Sequence, residues 1–337
     1  MKINLEKISI EVEDKKLNIK INDGIALPQT LYKYYSLSER AVESIENQTI
    51  HFGHAFSMND LMDGNFLLWD FDSFLETFMF ELEIPRSEKK DVHVSLLKKL
   101  SDEFLKYLGY FCLCENYMND LLWTHYTAER GYCLEFDREK LLDNFKEYQY
   151  YFFPVNYSDL KMINFQEYSD RIVTGNKVSV GANIPTFYSL ANKEKFWSYE
   201  KEWRLVIRDE SFTEMENPQV IISEEQKKIQ SKNLQSRNLK INKDLINKVI
   251  LATLFFNNDR FNKVDRTADN TFRYQFVQDK NQKNLQKFLT ILMTEFTDKI
   301  YQVEKVVSND RIFRELKYQV EILDINDESL EIRRTEC

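Results

Sequence analysis

The chain has 337 residues, with 46 Lys and Arg against 55 Asp and Glu, a formal charge of −9. Seven Gly and five Pro exclude collagen-like and Gly- or Pro-rich architectures, and 43% hydrophobic residues can supply a sizeable core. Four cysteines (Cys112, Cys114, Cys133, Cys337) make no disulfide framework, the N-terminus has no apolar leader, and no apolar run reaches about 18 residues, so a cytoplasmic protein with no membrane partner is expected.

Residues 8–21, ISIEVEDKKLNIKI, alternate apolar and polar on both sides of Asp14-Lys15-Lys16, which predicts a hairpin at a flap or sheet edge. An aromatic strand follows at Leu31–Tyr35. Ser38 stands as N-cap to a helix over Glu39–Asn47, and Thr49–Phe52 reads as a strand leading into an irregular Phe56–Gly64. Residues 66–108 read mostly as helix, with Leu96, Leu97, Leu100 and Phe104 at helical spacing. Phe111–Cys114 reads as a buried strand and Asn116–Thr127 as a short helix. Tyr132, Leu134 and Phe136 give one face of a strand opened by Gly131, and Trp197–Ile207 is the clearest strand.

Glu210–Lys243 is polar and charge-mixed, with Pro218 inside it, and reads as a lid, insertion or linker. Beyond it come a strand at Lys248–Phe256, a helical apolar stripe from Leu285 to Val303 and a final strand at Tyr318–Ile325. The expected class is α+β, a mixed or antiparallel sheet with flanking helices. The expected division is a hairpin at 1–24, a catalytic-like core at 25–215, and a tail at 216–337 of polar insertion, strand, long amphipathic helix and strand.

Chemistry concentrates in three segments. In Lys195–Ile207, strand alternation puts Glu200, Glu202, Arg204 and Val206 on one face and Trp197, Tyr199, Trp203, Leu205 and Ile207 on the other. Two carboxylates about 7 Å apart on one strand can shift one another's pKa and address two parts of one substrate. The alternative is a solvated face whose Glu and Arg pair with neighbours at little net energy. In Leu122–Asp137, His125 is a candidate general base and Trp123 or Tyr126 can stack on a ring, against an aromatic cluster with a core histidine.

The third segment joins Lys33 and Tyr35 on one strand face to Ser57 and Asn59 in the following loop. A cation beside a tyrosine can hold a phosphate or a ribose hydroxyl, although edge lysines also serve only to prevent strand pairing. His51 and His54 point to different faces of a strand-to-loop segment, and no metal is assigned to them. No G-x-G-x-x-G, G-x-x-x-x-G-K-[ST] or G-x-S-x-G occurs, so Rossmann, P-loop and α/β-hydrolase readings fail. The negative charge does not favour nucleic acid, although 161–171 and 227–243 are locally basic.

In order, L-Y-K-Y at 31–34, F-S-M-N-D-L-M-D at 56–63, L-L-W-T-H-Y at 121–126, G-Y-C-L-E-F-D at 131–137 and K-F-W-S-Y-E-K-E-W-R-L-V at 195–206 resemble the bacterial domain-of-unknown-function family 2971, over about residues 30–265. Two departures stand out: Met58-Asn-Asp-Leu-Met62 replaces the family's F-N-D-P-F, and Lys33 stands where an Arg is common.

The family name implies no activity, and a further analogy is with ADP-ribosyltransferases, including their toxin branch. That analogy implies a first-strand base, here Lys33, then a Ser element, here Ser57, and a late E-x-E, here Glu200 and Glu202. It implies NAD as cofactor, Glu202 on the ribose, Glu200 on a macromolecular acceptor (protein or nucleic acid), and Tyr35, Trp123 or Tyr126 on nicotinamide. A toxin or anti-phage defence effector is the biology expected with it. The rivals are a metal-dependent nuclease or hydrolase built on Asp60, Asp63, His125 and the glutamates, and a non-enzymatic sensor module holding a nucleotide or peptide between Trp123, Tyr126 and Trp197.

Overall fold

The computed structural model describes residues 1–14, 16–55, 58, 60, 64, 68–93, 95, 105, 107–168, 183–212, 237–256, 259–308 and 311–337. In chain order its elements begin with β1 (Lys2–Asn4), β2 (Ile8–Glu13), β3 (Lys16–Ile21), β4 (Thr30–Tyr35), α1 (Glu39–Glu46), β5 (Thr49–His51), β6 (Trp69–Asp70) and α2 (Asp72–Glu81). Next come β7 (Leu108–Cys114), α3 (Asp120–Thr127), β8 (Tyr132–Asp137), α4 (Arg138–Asn144), β9 (Gln149–Pro154), β10 (Asn156–Ser158), β11 (Ile163–Asn164), α5 (Asn183–Ala191) and β12 (Asn192–Glu194). A 3-10 turn at Lys195–Glu200 leads into β13 (Glu202–Arg208), followed by β14 (Asn238–Lys240), β15 (Ile246–Leu251), β16 (Phe261–Ala268), β17 (Thr271–Phe276), α6 (Gln282–Glu295), β18 (Ile300–Ser308), β19 (Arg311–Ile325) and β20 (Ser329–Glu336).

The chain divides into two compact units. One takes Met1–Leu27, His51–Cys112 and Lys146–Leu239; the other takes Pro28–Ile50, Leu113–Phe145 and Lys240–Cys337.

In the first unit, β1, β2 and β3 form an antiparallel sheet, in the register Ile8↔Ile21 to Glu13↔Lys16 across the hairpin. The hairpin is not a flap: Ile8 and Ile10 are fully buried in one core with Phe74, Leu75, Phe153, Phe165, Phe187 and Val206. Alternation sets which side is apolar, but β1, three residues long, is too short to announce itself by pattern. Strand β13 follows β7 in the sheet order and pairs antiparallel with β9 from Trp203↔Pro154 to Arg208↔Gln149. Two short parallel pairs, β10 with β12 and β6 with β11, complete the unit. Helix α5 is buried at nearly every position, so its sequence carries little amphipathic signal.

In the second unit the strand order is β16-β17-β20-β19-β18-β15-β8-β4, and Tyr32 of β4 stands opposite Cys114 at the end of β7. Neighbours pair antiparallel except β15 with β18, which makes a large mixed sheet with helices packed on it, in keeping with an α+β class. Ser38 caps α1 by accepting from the Ala41 N–H, as the sequence predicts. Phe288 of α6 packs on Tyr132, with ring centroids 4.6 Å apart.

The apolar stripe expected to run from Leu285 to Val303 stops at Glu295, and Ile300 and Val303 lie on β18 instead. A short apolar run does not separate helix from strand by spacing alone. Likewise, β19 does not end the chain, since β20 pairs along it. In the 66–108 stretch, α2 occupies Asp72–Glu81 and Trp69–Asp70 forms strand, whereas the stripe Leu96, Leu97, Leu100 and Phe104 lies outside the described residues, as does most of 210–243.

Candidate functional site

The segment expected to be one strand from Trp197 to Ile207 is two structures. Lys195–Glu200 winds as a 3-10 turn, Lys201 takes a left-handed conformation at φ 43°, and the strand begins at Glu202. The alternation that suggested a strand upstream instead serves a row of rings: Phe196 packs on Trp197 at 5.0 Å, and Trp197 on Tyr199 at 6.0 Å. From Glu202 onward the β-branched and aromatic residues hold a strand buried on both faces, as its central place between β7 and β9 requires. Trp203 faces Phe152 at 4.9 Å, and Glu202 and Arg204 share the opposite face.

The turn does not separate the two carboxylates. Lys193, at the centre of β12, places its Nζ 2.8 Å from Glu200 Oε2 and 2.6 Å from Glu202 Oε2. Arg204 donates from Nε to Glu202 Oε1 at 2.7 Å and from Nη2 to Glu202 Oε2 at 3.3 Å. Its Nη1 donates to the Leu190 carbonyl at 2.5 Å, near the end of α5, where a cation complements the helix dipole. The Glu202 backbone is also fixed: its N–H donates to Tyr157 Oη at 2.8 Å and its carbonyl accepts from Val155 N at 2.9 Å.

Glu200 and Glu202 are each 4% exposed, Lys193 6% and Arg204 0%. These are not residues of an open strand face, so the solvated-face reading is corrected, as is the placing of both carboxylates on one strand, since Glu200 belongs to the turn. Burial pushes the Glu202 carboxyl up, but the Arg204 charge and then the Lys193 charge outweigh it and hold the group below the usual carboxylate range. Burial, followed by the Glu202 charge, raises the Tyr157 phenol and keeps it neutral.

Of the residues singled out in the sequence, the structure brings Glu200, Glu202 and Arg204 together in the first unit. Lys33, Tyr35, Trp123, His125 and Tyr126 belong to the second unit, and Ser57 and Asn59 lie outside the described residues. Trp123 is fully buried, donates its indole N–H to the Tyr117 carbonyl at 2.6 Å and meets the Tyr34 ring edge-on at 4.9 Å. It is a core residue and offers no face to a ligand. Tyr35 stacks on Tyr132 at 5.3 Å, Tyr126 is half-buried, and His125 is exposed in the last turn of α3.

Sequence reasoning missed Lys193 and Tyr157. Asn192-Lys-Glu194 lies just before the Lys195–Ile207 segment and carries no motif of its own, and only the pairing of β12 with β10, Tyr157 opposite Lys193, turns it toward the carboxylates. Among the described residues no three His, Cys, Asp or Glu side chains converge as metal ligands. No described helix is long and apolar enough to cross a membrane.

No curated protein and no solved structure matches the chain. The family match is narrower than the span of motifs from 30 to 265 and leaves the Lys33 and Ser57 segments outside it. It contains Trp123, the Tyr132–Asp137 strand, Lys193 and the Glu200/Glu202 pair: residues 122–205 match the family model described as "Protein of unknown function (DUF2971)", and that is the family this stretch of the chain resembles.

Proposed function

We propose that the chain is an ADP-ribosyltransferase-like enzyme that takes NAD and transfers ADP-ribose to a macromolecular acceptor, with Glu202 as the carboxylate that meets the reacting sugar. The observation that supports this reading is the cation already seated on the acidic pair, Lys193 Nζ at 2.6 and 2.8 Å from the two carboxylates. NAD, when bound, supplies a ribose on which positive charge develops as nicotinamide leaves, and a fixed carboxylate stabilises such charge. The donor set fits that demand at Glu202, whose two-point bridge to Arg204 fixes its plane. Two of the stacking partners inferred from the sequence do not fit: Trp123 is sealed in the core and Tyr35 is stacked on Tyr132; Tyr126 is half-buried. Glu200, paired to Lys193, serves as a tether and not as a base. Lys33 has no role in this reading.

The test is incubation with labelled NAD and protein, DNA and RNA acceptors, beside Glu202→Gln. Transferred label or released nicotinamide, lost in the variant, supports the reading. A folded protein that does neither, with any acceptor or with water, overturns it. A toxin or anti-phage effector is the biological setting that goes with such an activity.

One observation favours a second reading, a non-enzymatic binding module: two carboxylates and two cations, all buried, balance one another, as a purely structural ion network does. In that case Glu202→Gln lowers stability and no preparation ever consumes NAD.

A further inference from the structure

We infer that Lys195–Glu200 is a lid over Glu202, latched from inside by the Glu200–Lys193 ion pair; this rests on the reading of Glu202 given above. Glu202 has two cationic partners of different character. Arg204 lies on the same strand and is bound to the end of α5, so it moves with Glu202. Lys193 instead joins Glu202 to Glu200, the last residue of the turn, and its ammonium lies under the Trp197 ring at 5.4 Å. Lifting the turn therefore removes Glu200 and Trp197 together and uncovers Lys193, which stays on β12 and, with Arg204, on Glu202.

The start of the turn is weakly held. A 3-10 turn has poorer hydrogen-bond geometry than an α-helix, and no side chain caps this one. Its outer tie, Lys195 Nζ to Asp159 at 2.9 Å, is largely exposed, where such pairs contribute little. Phe196 is 62% exposed. The Trp197 Nε1 atom is buried with no hydrogen-bond partner among the described residues, so opening gives that N–H water to bond. Lys201, left-handed at φ 43°, ends the segment and is the natural hinge.

The test is backbone amide hydrogen exchange of wild type, Glu200→Gln and Trp197→Leu, read beside nicotinamide release from NAD. Trp197→Leu removes the cover without touching either carboxylate, so it carries the test if Glu200→Gln does not fold. A latched lid predicts that amides 195–201 exchange about tenfold faster in either variant while 203–208 stay protected, and that release rises in parallel. Unchanged exchange at 195–201 in the folded variants overturns the lid. Faster exchange with unchanged release, in a protein that does release nicotinamide, overturns its gating of Glu202. Faster exchange with no release from any preparation leaves the lid standing and removes the NAD reading.

Discussion

Glu202 and Arg204 stand two residues apart on one strand and close a two-point salt bridge, Nε to Oε1 at 2.7 Å and Nη2 to Oε2 at 3.3 Å. Both are buried, and Arg204 is one of two cations on Glu202, the other being Lys193. Removing one partner of such a pair strands the other away from water, at about 3–5 kcal/mol. Arg204→Met is expected to lower the unfolding free energy by that amount, measured from urea midpoints at pH 7.

The same bridge sets an acid limit. The folded carboxyl of Glu202 lies below its ordinary value of 4.5, so its contribution is complete above about 4.5 and is lost as pH falls through the depressed folded value. Wild type is expected to lose stability between pH 5 and pH 3 more steeply than Glu202→Gln, in which that proton-linked term is gone. Parallel urea midpoints across this range would falsify the assignment.

His54 gives a second proton-linked term, in a window at higher pH. It is 2% exposed, and burial first, then the Arg237 charge, lower its pKa from 6.5 to about 3. A base depressed in the folded state contributes stability that is complete above the unfolded value, near 6.5, and is lost as pH falls toward about 3. The ring is expected to stay neutral from pH 8 to pH 5 in a proton NMR titration. His54→Leu is expected to flatten the pH dependence of stability between 6.5 and 4.

These residues also mark how far the sequence reaches. Period-two alternation found the β2–β3 hairpin, and the Ser38 cap found α1, because both signals are local. Glu200 and Glu202 were singled out on strand geometry, yet Glu200 is not on a strand. They meet because a lysine from a neighbouring strand reaches both, and no spacing rule within one segment contains that information. Trp123 shows the opposite failure. A tryptophan beside a histidine and a tyrosine looks like a stacking platform, and only its full burial and its bond to the Tyr117 carbonyl identify it as core.

Gly131, which opens β8, is fixed by close approach. A Cβ there would stand 2.1 Å from the Tyr35 carbonyl oxygen and 2.9 Å from Thr127 Cβ. The clash is with backbone, which has no rotamer to yield, and β4 and β8 pair directly at this point, Tyr35 opposite Tyr132. Gly131→Ala is expected to cost about 3 kcal/mol, at the upper end of overpacking penalties. A thermal melt within a degree of wild type is the result that counts against it. Gly24, with no atom within 4 Å of a Cβ, is the contrasting site for steric cost, although its φ of 86° still favours glycine.

Arg314 of β19 lies outside the family match and is fully buried. Its Nε meets Asp120 Oδ1 at 2.6 Å, its Nη1 donates to Thr253 Oγ1 at 2.7 Å, and its Nη2 bonds both carboxylate oxygens of Glu129. The guanidinium also lies over the Trp123 ring at 5.3 Å. One side chain thus ties the C-terminal strands to both ends of α3, and the planar fork matters because it spreads donors over three nitrogens where Lys concentrates them on one. Lys305, 3.0 Å from Glu129, remains when Arg314 is removed and partly compensates it. Arg314→Met is therefore expected to cost about 3 kcal/mol, the lower end for a broken buried pair, and Arg314→Lys less. The measurement is guanidinium unfolding followed by the fluorescence of the four tryptophans, among which Trp123 loses its cation. Equal midpoints for wild type and Arg314→Met would mean that the second unit holds its C-terminal strands by the sheet ladder alone.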